Sequence, residues 1–470
     1  MHQPIDLLGL EHSFSGRLLT DRDEMNPFLI DWRKIWRGAA LAIAQPDTVE
    51  DVASLVRWCS ERRVPIVPQG GNTGMSGGAS PSPDGNSVVI SLRRLDRIRA
   101  INLADNVIIV DAGCILQNVQ SAAEQANRLF PLSLGAEGSC TIGGNLATNA
   151  GGIGVLHYGN ARNLCLGIEV VTPNGEIWNG LRTLRKDNSG YDLRDLFIGS
   201  EGTLGVITGA VLRLFPRPTG YVTAIAAVSS PEKALSLLDR LVSDSQEKLT
   251  AFEIMSEDCL SLVLSQFKGL RRPLNGVAPW YVLLELSHFG QQDRGDNPLE
   301  IILASSIDCG ELIDATLAYS EAQRASFWAL RERISEAQGN LGQTIKHDVA
   351  VPVSQVPAFL RAAHSAVAAR WPKVMFVTFG HLGDGNIHYN LSPGPELSDA
   401  ELHAEKPAIN KVVHDIAADL GGTISAEHGL GQLRHTEAAR YKPAVEIAMM
   451  QTIKDALDPR GIMNPGKLLP

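Results

Sequence analysis

Apolar positions recur along this chain with two periods, and the switches between them predict its elements. After Pro46-Asp47-Thr48, the run VEDVASLVRWCSERR places Val49, Val52, Leu55 and Val56 at helical spacing, which predicts a capped amphipathic helix. VPIVP (64–68), SVVISL (87–92), NVIIVDAG (106–113) and LGIEVVT (166–172) are short β-branched runs bounded by turn residues and predict strands. A helix is predicted through about 115–127, between the third strand and the fourth. The first 40 residues, which include Trp32 and Trp36, show no clear period.

From about Tyr221 the texture changes. Predicted strands at 221–228, near 249–255, at 281–287 and at 345–353 alternate with helices near 231–243, at 320–337 and at 354–371. This alternation predicts one antiparallel sheet covered by helices on one face. The chain is again helical from about 435 to Leu457. Pro216, Pro218 and Gly220 mark the expected hinge. The organisation expected is an α+β protein with a first domain over 1–218, a second over 219–430 and a C-terminal helical segment over 431–470.

The stretch VMFVTFGHLGDGNIHYNL (374–391) carries the sharpest local signal. Asp384-Gly385 lies between two apolar runs, and a type I′ turn there would set His381 opposite His388. Directly opposed residues have Cβ atoms about 4.5–5.5 Å apart, close enough for two imidazoles to share one ion. Asn390 would project from the same face as His388. Ser425-Ala-Glu427-His428-Gly429 adds a carboxylate beside a further histidine. Two His and one Glu leave a coordination position open, as catalytic zinc sites do. A polar hairpin with unrelated surface histidines would fit the same residues.

Composition changes this picture mainly by exclusion. With 470 residues, 44% of them hydrophobic and 20% charged, the chain suits about two to four globular domains. A net charge of −10 and a pI near 5.7 provide no basic field for nucleic acid or anionic lipid. Apolar runs are too short to span a membrane, and MHQPIDLLGLEHSFSGRLLTDRDE does not read as a secretory signal, so a cytosolic location is expected. Cys59, Cys114, Cys140, Cys165, Cys259 and Cys309 form no CxxC pair and read as small buried hydrophobes. Electrons handled here would therefore leave through another molecule.

Two glycine-rich segments point to an extended ligand. QGGNTGMSGG (69–78) follows a predicted strand, and its successive N–H groups would form a nest suited to a pyrophosphate. It lacks both the G-x-G-x-x-G fingerprint and the Gly-Lys-Ser/Thr of a P-loop. GAEGSCTIGGNLATNAGG (135–152) is the second segment. Two of them in one domain suit a dinucleotide running past backbone over some length.

Six motifs in order, PQGGNTGMSGG, GSCTIGGNLATNAGG, NSGYDLRDLFIGSEGTLGVIT, HLGDGNIHYN, SAEHGLG and DPRGIMNPGK, resemble those of the FAD-linked D-2-hydroxyacid dehydrogenases of the vanillyl-alcohol oxidase superfamily. The resemblance runs from about residue 45 to the end. It implies a vanillyl-alcohol-oxidase-type FAD-binding domain followed by an antiparallel-sheet substrate and metal domain, with 431–470 returning to the first. It also implies that Pro68, Gly70, Gly71, Asn72, Thr73, Gly74, Gly138, Ser139, Gly143, Asn145, Asn149, Gly152, Glu201, Gly205, Ile207 and Asn464 hold FAD. Relatives with covalent FAD often carry a histidine near the first loop; none stands there, so noncovalent FAD is expected.

The same resemblance assigns a divalent metal, Zn²⁺ foremost, to His381, His388 and Glu427. His428 becomes the catalytic base, while Arg331, Ser335, Lys346, Asn390 and His428 contact substrate. Ser335 departs from the threonine frequent in the family. Arg331 and Lys346 together suit two carboxylates, which favours D-2-hydroxyglutarate over the monocarboxylate D-lactate; D-lactate, D-malate and other D-2-hydroxyacids are the rival substrates. The implied reaction is hydride transfer from C2 of the hydroxyacid to flavin, giving the 2-keto acid. The implied partner is a soluble acceptor such as electron-transfer flavoprotein; the oligomeric state stays open, a homodimer included. A non-redox flavoenzyme and a non-catalytic FAD-binding subunit are the rival readings.

Overall fold

A capping box starts the helix Val49–Arg62: the Asp51 N–H donates to the Thr48 hydroxyl, and the Thr48 N–H donates to the Asp51 carboxylate, each over 3.1 Å. Arg63 ends it in the left-handed region at φ +54°. Val49, Val52, Leu55 and Val56 are buried, as their spacing requires. The structure, a computed structural model, describes residues 7–12, 14–244, 248–289 and 297–470; the first six residues of the N-terminal segment lie outside these.

The chain divides into two units. Unit 1 comprises Met1–Gly151, Gly159–Arg217 and Glu427–Pro470; unit 2 comprises Gly152–Tyr158 and Pro218–Ala426. Unit 1 holds a four-stranded sheet in the order Arg17–Leu19, Ala42–Gln45, Val88–Ser91, Ile66–Gln69, parallel except at the first pairing. A five-stranded antiparallel sheet follows in the order Ile98–Asn102, Val107–Asp111, Val206–Arg213, Cys165–Val171, Ile177–Gly180. The C-terminus joins the first sheet. The Ile66 N–H donates to Ile462 O (2.7 Å) and the Asn464 N–H donates to Ile66 O (2.8 Å).

Unit 2 is built on a seven-stranded antiparallel sheet in the order Asp314–Leu317, Gly220–Val228, Trp280–His288, Lys248–Ser256, Val374–His381, Asn386–Pro393, Asp348–Ala350. Helices cover both faces, not the one expected. Val222, Ala224 and Ala226 pack with helices Pro231–Asp244, Val356–Arg370 and Asp399–Asp419. Ile225 and Ala227 pack with Glu257–Gln266 and Glu321–Glu332 on the other side. An unbroken apolar strand such as YVTAIAAV is the signature of burial on both faces, and alternation was absent for that reason.

Three predicted elements are broken where the chain has other demands. The helix over 320–337 divides into Glu321–Glu332 and Ile334–Gly339 at Arg333, whose φ of −79° and ψ of −1° distort the turn although its N–H still donates to Ala329 O (3.2 Å) and its O accepts from the Ala337 N–H (2.9 Å). The strand over 345–353 is reduced to Asp348–Ala350 plus a bridge at Ile345, because the His347 N–H donates to the Asn390 side chain and Pro352 supplies no donor. The helical stretch after 435 breaks before Ala444–Leu457, at Pro443. Among the described residues, no helix is long and apolar enough to cross a membrane.

Candidate active site

In unit 1 the glycine segments meet each other before they meet any ligand. A Cβ on Gly70 would overlap Thr141 Oγ1, and one on Gly71 would overlap Ser139 O, whereas Gly74 faces open space. The segments thus close on one another and leave a cleft that encloses about 920 Å³, part of it open to solvent. Its lining includes Pro68, Gly70, Gly71, Asn72, Thr73, Gly74, Gly143, Asn145, Glu201, Gly205, Ile207 and His428. Gly138, Ser139, Asn149, Gly152 and Asn464 are not in that lining; Gly152 belongs to unit 2. Asn464 instead braces the cleft wall, its Nδ2 donating to Gly78 O (3.0 Å) and Glu201 O (2.7 Å). Thr141 Oγ1 and Gln69 Oε1 are buried without a protein partner. Exposed backbone, small residues and unmatched polar atoms fit a polar, elongated cofactor.

Glu201 has a second task that sequence reasoning missed. It sits in the left-handed region at φ +52° with its carboxylate buried, accepting the N–H groups of Leu430 and Gly431 at 2.8 Å each. Burial pushes this carboxyl up and pushes the Lys467 ammonium down to about 8, the attraction between the two opposing the latter shift. The Ser76 hydroxyl donates to Gly429 O at 2.9 Å. His428 is thus carried on a segment anchored immediately downstream by Glu201 and Ser76.

In unit 2 the hairpin register differs from the sequence expectation. His381 pairs with Asn386, and His388 with Phe379, across a four-residue loop from Leu382 to Gly385. Only Gly385 adopts positive φ (+85°), so the type I′ turn does not form. The Gly383 N–H donates to Phe252 O and the Gly385 N–H to His381 O, which widens the loop. The two histidines nevertheless share a face, as diagonal neighbours with ring centroids 5.6 Å apart.

That face is the one packed under helix Glu321–Glu332, and Glu253, His381, His388 and Asn390 are among its polar residues. Glu253 stands directly opposite His381 on the neighbouring strand and is 1% exposed. Its Oε1 lies 2.7 Å from His381 Nδ1, and its Oε2 accepts from Arg331 Nε (2.9 Å) and Nη2 (2.8 Å). Burial pushes the Glu253 carboxyl up, but the charges of His381 and Arg331 outweigh it and hold the group below the usual glutamate range. A carboxylate only accepts, so the proton between the two groups sits on Nδ1, and Nε2 is the ring nitrogen that a neutral His381 would offer to an ion. His388 Nδ1 has Asp348 Oδ1 at 3.9 Å behind it.

The Ala426 N–H donates to Asp348 O at 3.1 Å, and Glu427 is the next residue. His381, His388 and Glu427 each offer one ligand atom, all within 4.8 Å of one another. Two imidazoles, each with a carboxylate close to its Nδ1, and one glutamate form a donor set that suits Zn²⁺ or a similar divalent ion.

The other expected contacts are distributed unevenly. Arg331 is buried over the Phe379 ring, 4.5 Å from its centroid, whereas Ser335 is exposed beyond the break at Arg333. Lys346 is half-buried in the extended segment before Asp348–Ala350. Asn390 accepts the His347 N–H (3.1 Å) and donates to Gln338 (3.0 Å). Glu253 was not among the residues expected from the sequence, although one acid inside the apolar run AFEIM is a signal that a buried partner must exist.

Residues 40–180 match the FAD binding domain family, and residues 217–468 match the C-terminal domain of FAD linked oxidases. Two solved structures share the fold: p-cresol methylhydroxylase with substrate bound (TM-score 0.74, 17% identity, 96% of this chain and 93% of that one) and an alkyldihydroxyacetonephosphate synthase (0.70, 17%, 95% and 82%). This is the vanillyl-alcohol-oxidase fold, an α+β FAD-binding domain followed by an antiparallel-sheet domain covered by helices. Curated relatives include the mitochondrial D-2-hydroxyglutarate dehydrogenase of Bos taurus (38% identical over 99% of this chain and 83% of the relative). Another is D-2-hydroxyglutarate dehydrogenase of Xanthomonas citri pv. viticola, 37% identical over 96% of this chain and 94% of the relative. The chain belongs to the FAD-linked oxidases, within the family of the D-2-hydroxyglutarate dehydrogenases. It is therefore an FAD-dependent dehydrogenase. The cattle protein's name places that protein in mitochondria, and the Xanthomonas name gives no compartment.

Proposed function

We propose that this enzyme oxidises D-2-hydroxyglutarate to 2-oxoglutarate, with noncovalent FAD held in the unit 1 cleft and a divalent ion, Zn²⁺ foremost, held by His381, His388 and Glu427. The observation that carries the reading is the convergence of those three ligand atoms within 4.8 Å, with His381 turned by Glu253 to present Nε2. The names of relatives across nearly the whole chain support the substrate. FAD, when bound, supplies the two-electron acceptor, and the ion supplies Lewis acidity toward the 2-hydroxyl and an adjacent carboxylate oxygen.

The chain's own residues bind, orient and move a proton. His428 takes the hydroxyl proton, a task suited to an imidazole. Arg331 uses Nε and Nη2 on Glu253, which leaves Nη1 for a substrate carboxylate. Lys346 supplies a movable point charge to the second carboxylate, with Asn390 and Ser335 as neutral contacts. A soluble acceptor of the electron-transfer-flavoprotein type reoxidises the cofactor, and a homodimer is the assembly in this reading.

The test is anaerobic bleaching of the flavin by D-2-hydroxyglutarate, D-malate and D-lactate, before and after chelation. Bleaching is expected to be fastest with D-2-hydroxyglutarate, to disappear with chelator and to return with Zn²⁺. His428→Ala is expected to keep its flavin and to bleach at least about 100-fold more slowly. A D-lactate optimum would remove the dicarboxylate assignment. Bleaching indifferent to chelator would remove the metal.

A further inference from the structure

The buried carboxylate of Glu253 faces an arginine and a histidine at once, and the two contacts are chemically unequal. Oε2 receives two N–H donors, Nε and Nη2, of Arg331, a residue charged at every accessible pH, while Oε1 receives His381 Nδ1. We propose that Glu253 is a positioning residue: it commits His381 to the tautomer that presents Nε2 to the metal, and its engagement with Arg331 fixes which oxygen does so. The inference rests on the metal reading above. Nothing in it requires Glu253 to touch substrate or ion.

The inequality of the two partners makes a sharp prediction for Glu253→Gln. A glutamine fills the same volume but has one acceptor oxygen and one donor nitrogen. The buried guanidinium claims the oxygen, because a charged donor facing an amide NH₂ is the costlier arrangement. The amide nitrogen then faces His381, whose Nδ1 must become the acceptor, so the proton moves to Nε2 and the lone pair offered to the metal is lost. Removing the competitor reverses this. In the double variant with Arg331→Met, the amide oxygen is released to accept from Nδ1, and Nε2 regains its lone pair.

The experiment measures Zn²⁺ affinity on the FAD-loaded enzyme by competition with a chromophoric chelator, and flavin content beside it. Glu253→Gln is expected to weaken Zn²⁺ binding about 10–100-fold, with flavin content unchanged. The double variant is expected to regain most of that loss although it carries more damage, which a merely structural role would not produce. Wild-type affinity in the single variant overturns the proposal, as does a double variant no better than the single. If wild type and His381→Ala bind Zn²⁺ alike, the metal reading itself fails and the inference goes with it. Should neither variant fold, ¹⁵N spectra of histidine-labelled wild type, with His381 assigned by His381→Asn, decide instead. A proton on Nδ1 supports the proposal and one on Nε2 overturns it.

Discussion

Helix Glu321–Glu332 sends two arginines, two turns apart, onto the same sheet face, and each meets a buried glutamate. At Arg324 the arrangement is closed. Nε and Nη2 take the two oxygens of Glu285 (2.7 and 2.9 Å), and the Trp328 indole (2.8 Å) and Thr223 hydroxyl (2.7 Å) fill the remaining acceptor sites on Oε2. At Arg331 both donors crowd onto one oxygen of Glu253, and the other oxygen goes to His381. Residue types and face are alike and both glutamates are buried, so an ion pair alone does not mark a site. The difference is the third partner. An indole and a hydroxyl can only complete a clamp, whereas an imidazole passes the influence of the carboxylate on through its second nitrogen.

The comparison predicts different kinds of damage. The largest effect is expected from Glu285→Ala, which strands the Arg324 charge and two further donors. About 3–5 kcal/mol of stability should be lost, toward the lower end because the Arg324 side chain is 28% exposed. The midpoint of denaturation should fall while the Zn²⁺ affinity of the folded protein stays unchanged. Loss of zinc at unchanged stability would erase the distinction between the pairs. Next, Arg331→Met should raise the KM for D-2-hydroxyglutarate about 10–100-fold with a smaller change in kcat, the loss of a charged hydrogen bond. An unchanged KM would make Arg331 as structural as Arg324. The smallest effect belongs to Lys346→Met, since this half-buried lysine stands off the helix. It should raise the KM for D-2-hydroxyglutarate about tenfold and leave that for D-lactate unchanged. An equal rise for both would take Lys346 out of substrate selection.

What could be read from the sequence follows from the range of the interactions involved. The helix at Val49–Arg62 was legible because its cap, period and terminus are all local. His381, His388 and Glu427 could be singled out by residue type and do lie within 4.8 Å of one another, but the hairpin register could not be read. It is set by the Gly383 N–H reaching Phe252 on another strand, a contact that no dipeptide signal encodes. The second layer of helices was written in the continuity of apolar strands such as YVTAIAAV, which leave no solvent face, although cover on one face was expected. Glu253 and Glu285 were visible only as lone acids in apolar runs, and the arginines they meet lie 78 and 39 residues away. Gly70 and Gly71 were read as making room for a ligand, whereas much of their role is to let two backbone segments touch.

The return of the C-terminus to strand Ile66–Gln69 also dictates an order of events during synthesis. Unit 1 is completed by residues 427–470, including the Met463 bridge to Ile66 and the Asn464 brace, while the chain of unit 2 is finished at Ala426. On the ribosome the later half is therefore the first to have all its residues. The amino-terminal half must wait, lacking one rim, until the last residues emerge. A stop codon that removes only the final ten residues would cost the unit 1 cleft its closing seam and leave His381, His388 and Glu427, the proposed metal ligands, in the chain.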